Sequence, residues 1–338
     1  MKNETLRDVA KSLVDPGKGI LAADESPSTI AKRLQSVGVE ATEASRCAYR
    51  QMLFTTPGLG GFISGIILQD ETIRQQTPEG NLLRDLIARE GIIAGIKVDG
   101  GSEPLARFPQ ETVTRGLDGL RERLQEYREL GAKFAKWRAV IKIGDGVPTL
   151  HCIRANAHLL ARYAALCQEE GLVPIVEPEV LMDGGHTQAK CSEVTEMTLR
   201  EVFNALADYR VVPEEMLLKP NMVVSGNQCP DQAGVEQVVE ATLACLRRTV
   251  PAAVPGVVFL SGGQDEITAT RHLNSMNQGN SEAWRLSFSY GRALQESALA
   301  KWRGVAANAS AAQEILLRRA RCNSAATSGE YSYEMEKL

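Results

Sequence analysis

Val173-Pro174-Ile175-Val176-Glu177-Pro178-Glu179 and, further along, Leu217-Leu218-Lys219-Pro220-Asn221-Met222-Val223 decide how this chain is read. Each is a short apolar run of strand type that ends in charge, with proline beside the charged residues. Glu177 and Glu179 are two apart, which puts both carboxylates on one side of a strand. Lys219 closes its run and points into a core or the mouth of a pocket. A lysine there is costly unless its charge is paired or its pKa lowered, and a lowered pKa makes it a nucleophile for carbonyls. Imine chemistry, in a site shared by carboxylates and a lysine, is the expectation.

Working outward, similar runs occupy residues 19–23, 62–68, 92–98, 134–141, 173–176, 216–219, 257–260 and 286–290. Helical patterns fall between them, among them residues 120–130, 155–170, 194–209 and 235–249, where apolar side chains recur at three- and four-residue steps. Eight alternating βα units predict an α/β fold, a closed (β/α)₈ TIM barrel, with its active site at the C-terminal ends of the strands. Asp24, Lys97, Glu177, Glu179, Lys219, Ser261 and Arg292 all lie at or just beyond such ends. A doubly wound open sheet is the alternative, since periodicity does not show closure, but a glycine-rich dinucleotide turn after the first run is missing. No linker divides the chain, so residues 1–338 read as one barrel domain with a short mobile tail from about residue 323.

Composition restricts the function classes. With 43% hydrophobic and 24% charged residues the chain is of ordinary globular type, and no apolar stretch is long enough for a membrane span. Residues 1–5 read as the start of a polar, helix-like segment and not as a signal peptide. A net charge of -4 gives no footprint for nucleic acid, so an anionic ligand must be held by local cations. The seven cysteines are widely spaced and read as reduced thiols of a cytoplasmic protein. The four histidines form no ligand motif, and no metal is expected.

In Phe134-Ala135-Lys136-Trp137-Arg138, Lys136 and Arg138 share a strand face. Barrel strands are covered by helices outside, which favours an inward cationic pair facing Glu177, Glu179 and Asp24. Position alone leaves Lys136 as strong a nucleophile candidate as Lys219. Ser261-Gly262-Gly263-Gln264 follows the seventh run, and Ser289-Tyr290-Gly291-Arg292 ends the eighth. Glycines between strand and helix let backbone N–H groups approach an anion, an arginine adds paired donors, and this corner of a barrel often holds phosphate. Ser26, Thr29, Arg33 and Lys97 could receive a second phosphate, although a helix cap and a solvated face explain Ser26 to Arg33 almost as well.

These segments, with Gly19-Ile20-Leu21-Ala22-Ala23-Asp24-Glu25-Ser26 and Gly95-Ile96-Lys97-Val98-Asp99, resemble the class I fructose-1,6-bisphosphate aldolases over approximately residues 5–320. The resemblance implies a barrel, assembled as a homotetramer, that reversibly cleaves fructose 1,6-bisphosphate into dihydroxyacetone phosphate and glyceraldehyde 3-phosphate in glycolysis and gluconeogenesis. It implies that Lys219 forms the Schiff base, with Lys136 supporting carbinolamine formation and lowering the basicity of Lys219. Glu177 would move protons, Glu179 would help hold the lysines, and Asp24 would take or orient the C4 hydroxyl proton. The protonated imine is the electron sink, so neither metal nor cofactor is implied. Ser261, Gly262, Gly263, Ser289, Gly291 and Arg292 would hold the ketone-side phosphate. Ser26, Thr29, Arg33 and Lys97 would contact the distal phosphate or sugar hydroxyls, and Arg138 is a further substrate-binding residue.

The chain departs from the family's pattern twice. Animal and plant members end in a longer tail whose terminal tyrosine assists proton exchange, whereas this chain stops at Leu338 and offers Tyr331 and Tyr333. Pro27-Ser28 stands where the family commonly has Thr-Gly. Other readings are a different Schiff-base barrel enzyme of transaldolase type, a metal-dependent aldolase, or a binding scaffold. The first would not need two phosphate grips, the second would need clustered histidines, and the third would not need charged strand ends.

Overall fold

The computed structural model describes residues 5–337. Residues 1–4, part of the segment read as polar and helix-like, and residue 338 lie outside the described residues. The chain opens with α1 (Leu6–Ser12), β1 (Gly19–Ala22), α2 (Pro27–Ser36), α3 (Glu43–Phe54) and β2 (Ile63–Leu68). Next come α4 (Asp70–Arg74), α5 (Leu83–Arg89), β3 (Ile93–Lys97) and a small hairpin of β4 (Ser102–Pro104) and β5 (Thr112–Thr114). The middle is α6 (Leu120–Glu129), β6 (Phe134–Ile141), α7 (Leu150–Glu169), β7 (Val173–Val180), α8 (Gln188–Asp208) and β8 (Leu217–Leu218). It closes with α9 (Val235–Thr249), β9 (Gly256–Phe259), α10 (Glu266–Asn277), β10 (Arg285–Tyr290), α11 (Arg292–Trp302) and α12 (Ala309–Ala326).

Eight parallel strands close on themselves in the order β1-β10-β9-β8-β7-β6-β3-β2, so the closed (β/α)₈ barrel holds and the open sheet is ruled out. All eight expected runs form strands. Strand boundaries move where tertiary contacts decide them. β7 continues four residues past Val176 because β6 pairs with it as far as Ile141 opposite Val180. Its prolines are tolerated for a geometric reason. The Val173 and Leu181 N–H groups point to the β6 side, whereas Val180 donates to Asn221 and Val176 accepts from Lys219 on the β8 side. Pro174 and Pro178 therefore face β8, which pairs with β7 only through Leu217 and Leu218, and the missing donor of Pro178 falls where β8 has ended.

Alternation along each strand separates two cores. Ala135, Trp137, Ala139 and Ile141 of β6 face outward under the helices. Phe134 joins Ile20, Ala22, Ile67, Val173, Ile175, Leu217 and Val258 inside, where Val9, Ala10, Leu13 and Val14 of the α1 region plug the lower end. Gly95 makes this possible, since a Cβ there would lie 2.2 Å from the Phe134 ring. α7 and α8 begin earlier than their apolar periodicity indicated, each capped by a threonine, Thr149 and Thr187. α12 runs to Ala326, past the start set for the tail, and Asn323 within it is fully buried.

Candidate active site

Above the apolar plug, the inward positions of the strands become charged. Register places Lys97 of β3 beside Lys136 of β6, and Arg138 beside Glu177 of β7. Lys136, Glu177 and Lys219 are each under 5% exposed, so their charges must compensate one another. They do so in one chain of contacts. Lys136 Nζ lies 2.7 Å from Asp24 Oδ2 and 3.2 Å from Glu177 Oε2, and Lys219 Nζ lies 3.1 Å from Glu177 Oε1. Arg138 Nε meets Glu179 Oε2 at 2.5 Å.

Burial pushes the Asp24 carboxyl up, but Lys136 and then Lys219 outweigh it and hold the group down at about 2. Burial acts against the Lys136 ammonium as well, and Asp24, Glu177 and Asp99 together raise it well above the usual lysine range. Asp24 is therefore an anion and Lys136 a cation throughout the working pH range. Among the described residues Lys219 differs from Lys136 in having a single carboxylate within ion-pair distance, Glu177.

A cavity of about 480 Å³ opens at this end of the barrel, and every residue given a site role from the sequence lines it. Gly262 and Gly263 have φ of 59° and 90°, a left-handed conformation in which a side chain would be strained. Gly263 turns close to Arg292, whose Nη2 would be 3.9 Å from a Cβ at that glycine. Arg292 opens α11 and has no carboxylate partner among the described residues. Ser289 Oγ is buried beside it without a hydrogen-bond partner. After the neighbouring strand β1, which pairs with β10, Ser26 caps α2 with Pro27 at the first helical turn, so the Pro27 departure removes no needed donor. The Ser26 hydroxyl contacts those of Ser28 and Thr29, Arg33 pairs with Glu25, and Lys97 Nζ lies 2.5 Å from Asp99 Oδ1.

Asp99 is a site residue that the sequence pattern does not single out. Besides Lys97 it accepts from the Gly101 and Arg138 backbone N–H groups, tying the end of β3 to β6. Its two-residue spacing from Lys97 was the available signal. Glu25 is likewise not legible from spacing, because its pairing with Arg33 crosses a turn and most of a helix. Tyr331 and Tyr333 do not line the cavity; the Tyr331 hydroxyl donates to Glu336 and Tyr333 is exposed.

Fold and cluster define a (β/α)₈-barrel enzyme built around a lysine–carboxylate centre. The sequence model of the family described as Fructose-bisphosphate aldolase class-I matches residues 5–338. A relative from Xanthomonas campestris pv. campestris, "Probable fructose-bisphosphate aldolase class 1", is 57% identical over 98% of this chain and 99% of its own. "Fructose-bisphosphate aldolase 4, cytosolic" of Arabidopsis thaliana is 53% identical over 94% of this chain and 81% of its own. Among solved structures, fructose-bisphosphate aldolase from Plasmodium falciparum, in complex with TRAP and a small molecule inhibitor, superposes with a TM-score of 0.96 at 50% identity. That match covers 97% of this chain and 95% of the other. The chain belongs to the class I fructose-bisphosphate aldolases, lyases that work through a Schiff base.

Proposed function

We propose that Lys219 is the Schiff-base nucleophile in the reversible cleavage of fructose 1,6-bisphosphate to dihydroxyacetone phosphate and glyceraldehyde 3-phosphate. One observation carries the choice over Lys136. Lys136 is clamped between two carboxylates and stays protonated, whereas among the described residues Lys219 is ion-paired with Glu177 alone, which is placed to take its proton. The freed Lys219 amine attacks the ketone carbon, and Glu177 returns the proton to the resulting hydroxyl, which leaves as water to give the iminium. Asp24, ionised, accepts the C4 hydroxyl proton as the bond between C3 and C4 breaks, and the electron pair passes into the iminium to give an enamine. Protonation of the enamine at C3 and hydrolysis release the ketone product and Lys219. Lys136 supplies fixed positive charge beside the developing carbinolamine oxygen.

The ketone-side phosphate is assigned to Ser261, Gly262, Gly263, Ser289, Gly291 and Arg292. The support is an unpaired guanidinium, a partnerless buried hydroxyl and two left-handed glycines converging in one corner. Ser26, Thr29, Arg33, Lys97 and Arg138 are assigned to the far end of the substrate, where Arg33, Lys97 and Arg138 exchange or share their carboxylate partners on binding. We also assign a homotetramer and a cytoplasmic location, on the family's usual assembly and the cytosolic relative. Sedimentation at micromolar concentration tests the assembly, and a monomer would refute it.

Borohydride reduction in the presence of dihydroxyacetone phosphate, followed by peptide mapping, tests the mechanism. The label is expected on Lys219. A label on Lys136 would overturn the assignment.

A further inference from the structure

The C-terminal end of the chain is tied to the back of the ketone-side phosphate corner. Arg319 on α12 is 2% exposed, and its Nη2 donates to the Glu266 carbonyl at 2.7 Å and to Thr270 Oγ1 at 2.6 Å. Glu266 opens α10 directly after the turn formed by residues 261–265, and its Oε1 accepts from Ser297 Oγ of α11 at 2.7 Å. One residue thus joins the two helices that start from the phosphate-side glycines. Glu336, in the tail, pairs with Arg319 Nη1 and accepts from the Tyr331 hydroxyl at 3.0 Å. The Tyr331 backbone N–H donates to Asn274 of α10 at 2.8 Å. Arg319 Nε and Glu266 Oε2 are 3.9 Å apart, both buried and both without a hydrogen-bond partner. The Arg319 charge therefore depends on two carboxylates, a distant one from α10 and a close one from the tail. Without Glu336 the guanidinium is left under-compensated in the interior, and α10 and α12 must shift to satisfy it.

We propose that Glu336, acting through Arg319, is a positioning residue that sets the spacing between the residue 261–263 turn and Arg292, and so the affinity for the ketone-side phosphate. This rests on the assignment of that corner to phosphate. The tail acts from behind the site, and no tail side chain has to enter the cavity.

The test compares Glu336→Ala, truncation after Ser332 and Glu334→Ala, an exposed tail carboxylate whose ion pair among the described residues is with Lys337. Borohydride trapping is titrated with dihydroxyacetone phosphate and with dihydroxyacetone, which lacks the phosphate, and inhibition of cleavage by inorganic phosphate is measured alongside. Glu336→Ala and the truncation are expected to weaken dihydroxyacetone phosphate and inorganic phosphate by about fivefold to tenfold, with dihydroxyacetone trapping and kcat held within about twofold. Glu336→Gln, which keeps an acceptor for Arg319, should recover part of the loss, and Glu334→Ala should lose nothing. Unchanged phosphate affinity, equal weakening of dihydroxyacetone, or an equal effect of Glu334→Ala would overturn the proposal. Arg292→Ala separates the two assignments. If it leaves phosphate ligands unaffected, the phosphate corner itself is misassigned; if it weakens them and Glu336→Ala does not, only the positioning role fails.

Discussion

Replacing Lys136 by Met keeps most of the side-chain volume but removes the ammonium that Asp24 and Glu177 share at 2.7 and 3.2 Å. In the native protein Asp24 sits at about 2 against an ordinary 3.8, because Lys136 and Lys219 overcome the opposing effect of burial. A depressed carboxylate contributes stability that is present above its unfolded pKa and lost as pH falls through its folded pKa. For Asp24 the window is from 3.8 down to about 2, worth roughly 2 kcal/mol at about 1.4 kcal/mol per pKa unit. A close opposite charge accounts for about 1 to 3 pKa units, so in Lys136→Met the Asp24 pKa should rise to roughly 3 to 5. The stabilising contribution then shrinks or, above 3.8, reverses, and the broken buried pair costs about 3 to 5 kcal/mol in all. Urea unfolding at neutral pH and at about pH 4 should show this loss in full at neutral pH and shrinking on the acid side, where protonation of Asp24 removes the unpaired charge. The pH profile of kcat/KM for fructose 1,6-bisphosphate should drop by about 10² to 10⁴, with its acid limb moved upward by roughly 1 to 3 pH units. Borohydride should still label Lys219. An unmoved acid limb, or native stability at neutral pH, would refute the claim that Lys136 sets the ionisation of Asp24.

Lys219→Met should abolish borohydride trapping while the protein stays folded, and native activity should survive EDTA; loss with EDTA and recovery with zinc would contradict iminium catalysis. Arg292→Ala should cost about 2 to 4 kcal/mol in binding of dihydroxyacetone phosphate by equilibrium titration. Lys97→Ala should weaken fructose 1,6-bisphosphate more than fructose 1-phosphate in steady-state KM, and equal losses would remove Lys97 from the distal end. Gly95→Ala places a methyl group 2.2 Å from the Phe134 ring and should lower stability by at least about 1 to 3 kcal/mol in thermal melts.

The alternation of runs and helical patterns was enough to predict eight βα units, because strand and helix periods are local properties of the chain. The strand-end charges were equally legible: Glu177, Lys219 and Lys136 stand out since charge at the end of an apolar run needs a reason. Closure of the sheet was not local, and it is established by β1 pairing with β10 across nearly the whole chain length. Register decided more. The proposed ranking of Lys219 over Lys136 rests on which carboxylates reach each ammonium, and that follows from strand stagger, not from spacing. The plug of α1 beneath Phe134, the Asp99 bridge to β6 and the tail's hold on Arg319 all join residues distant in sequence. Sequence alone thus determined which elements form and which side chains end up at the strand ends. Only tertiary structure decided which of those charges meet, because the partner that compensates a buried charge comes from another element of the barrel.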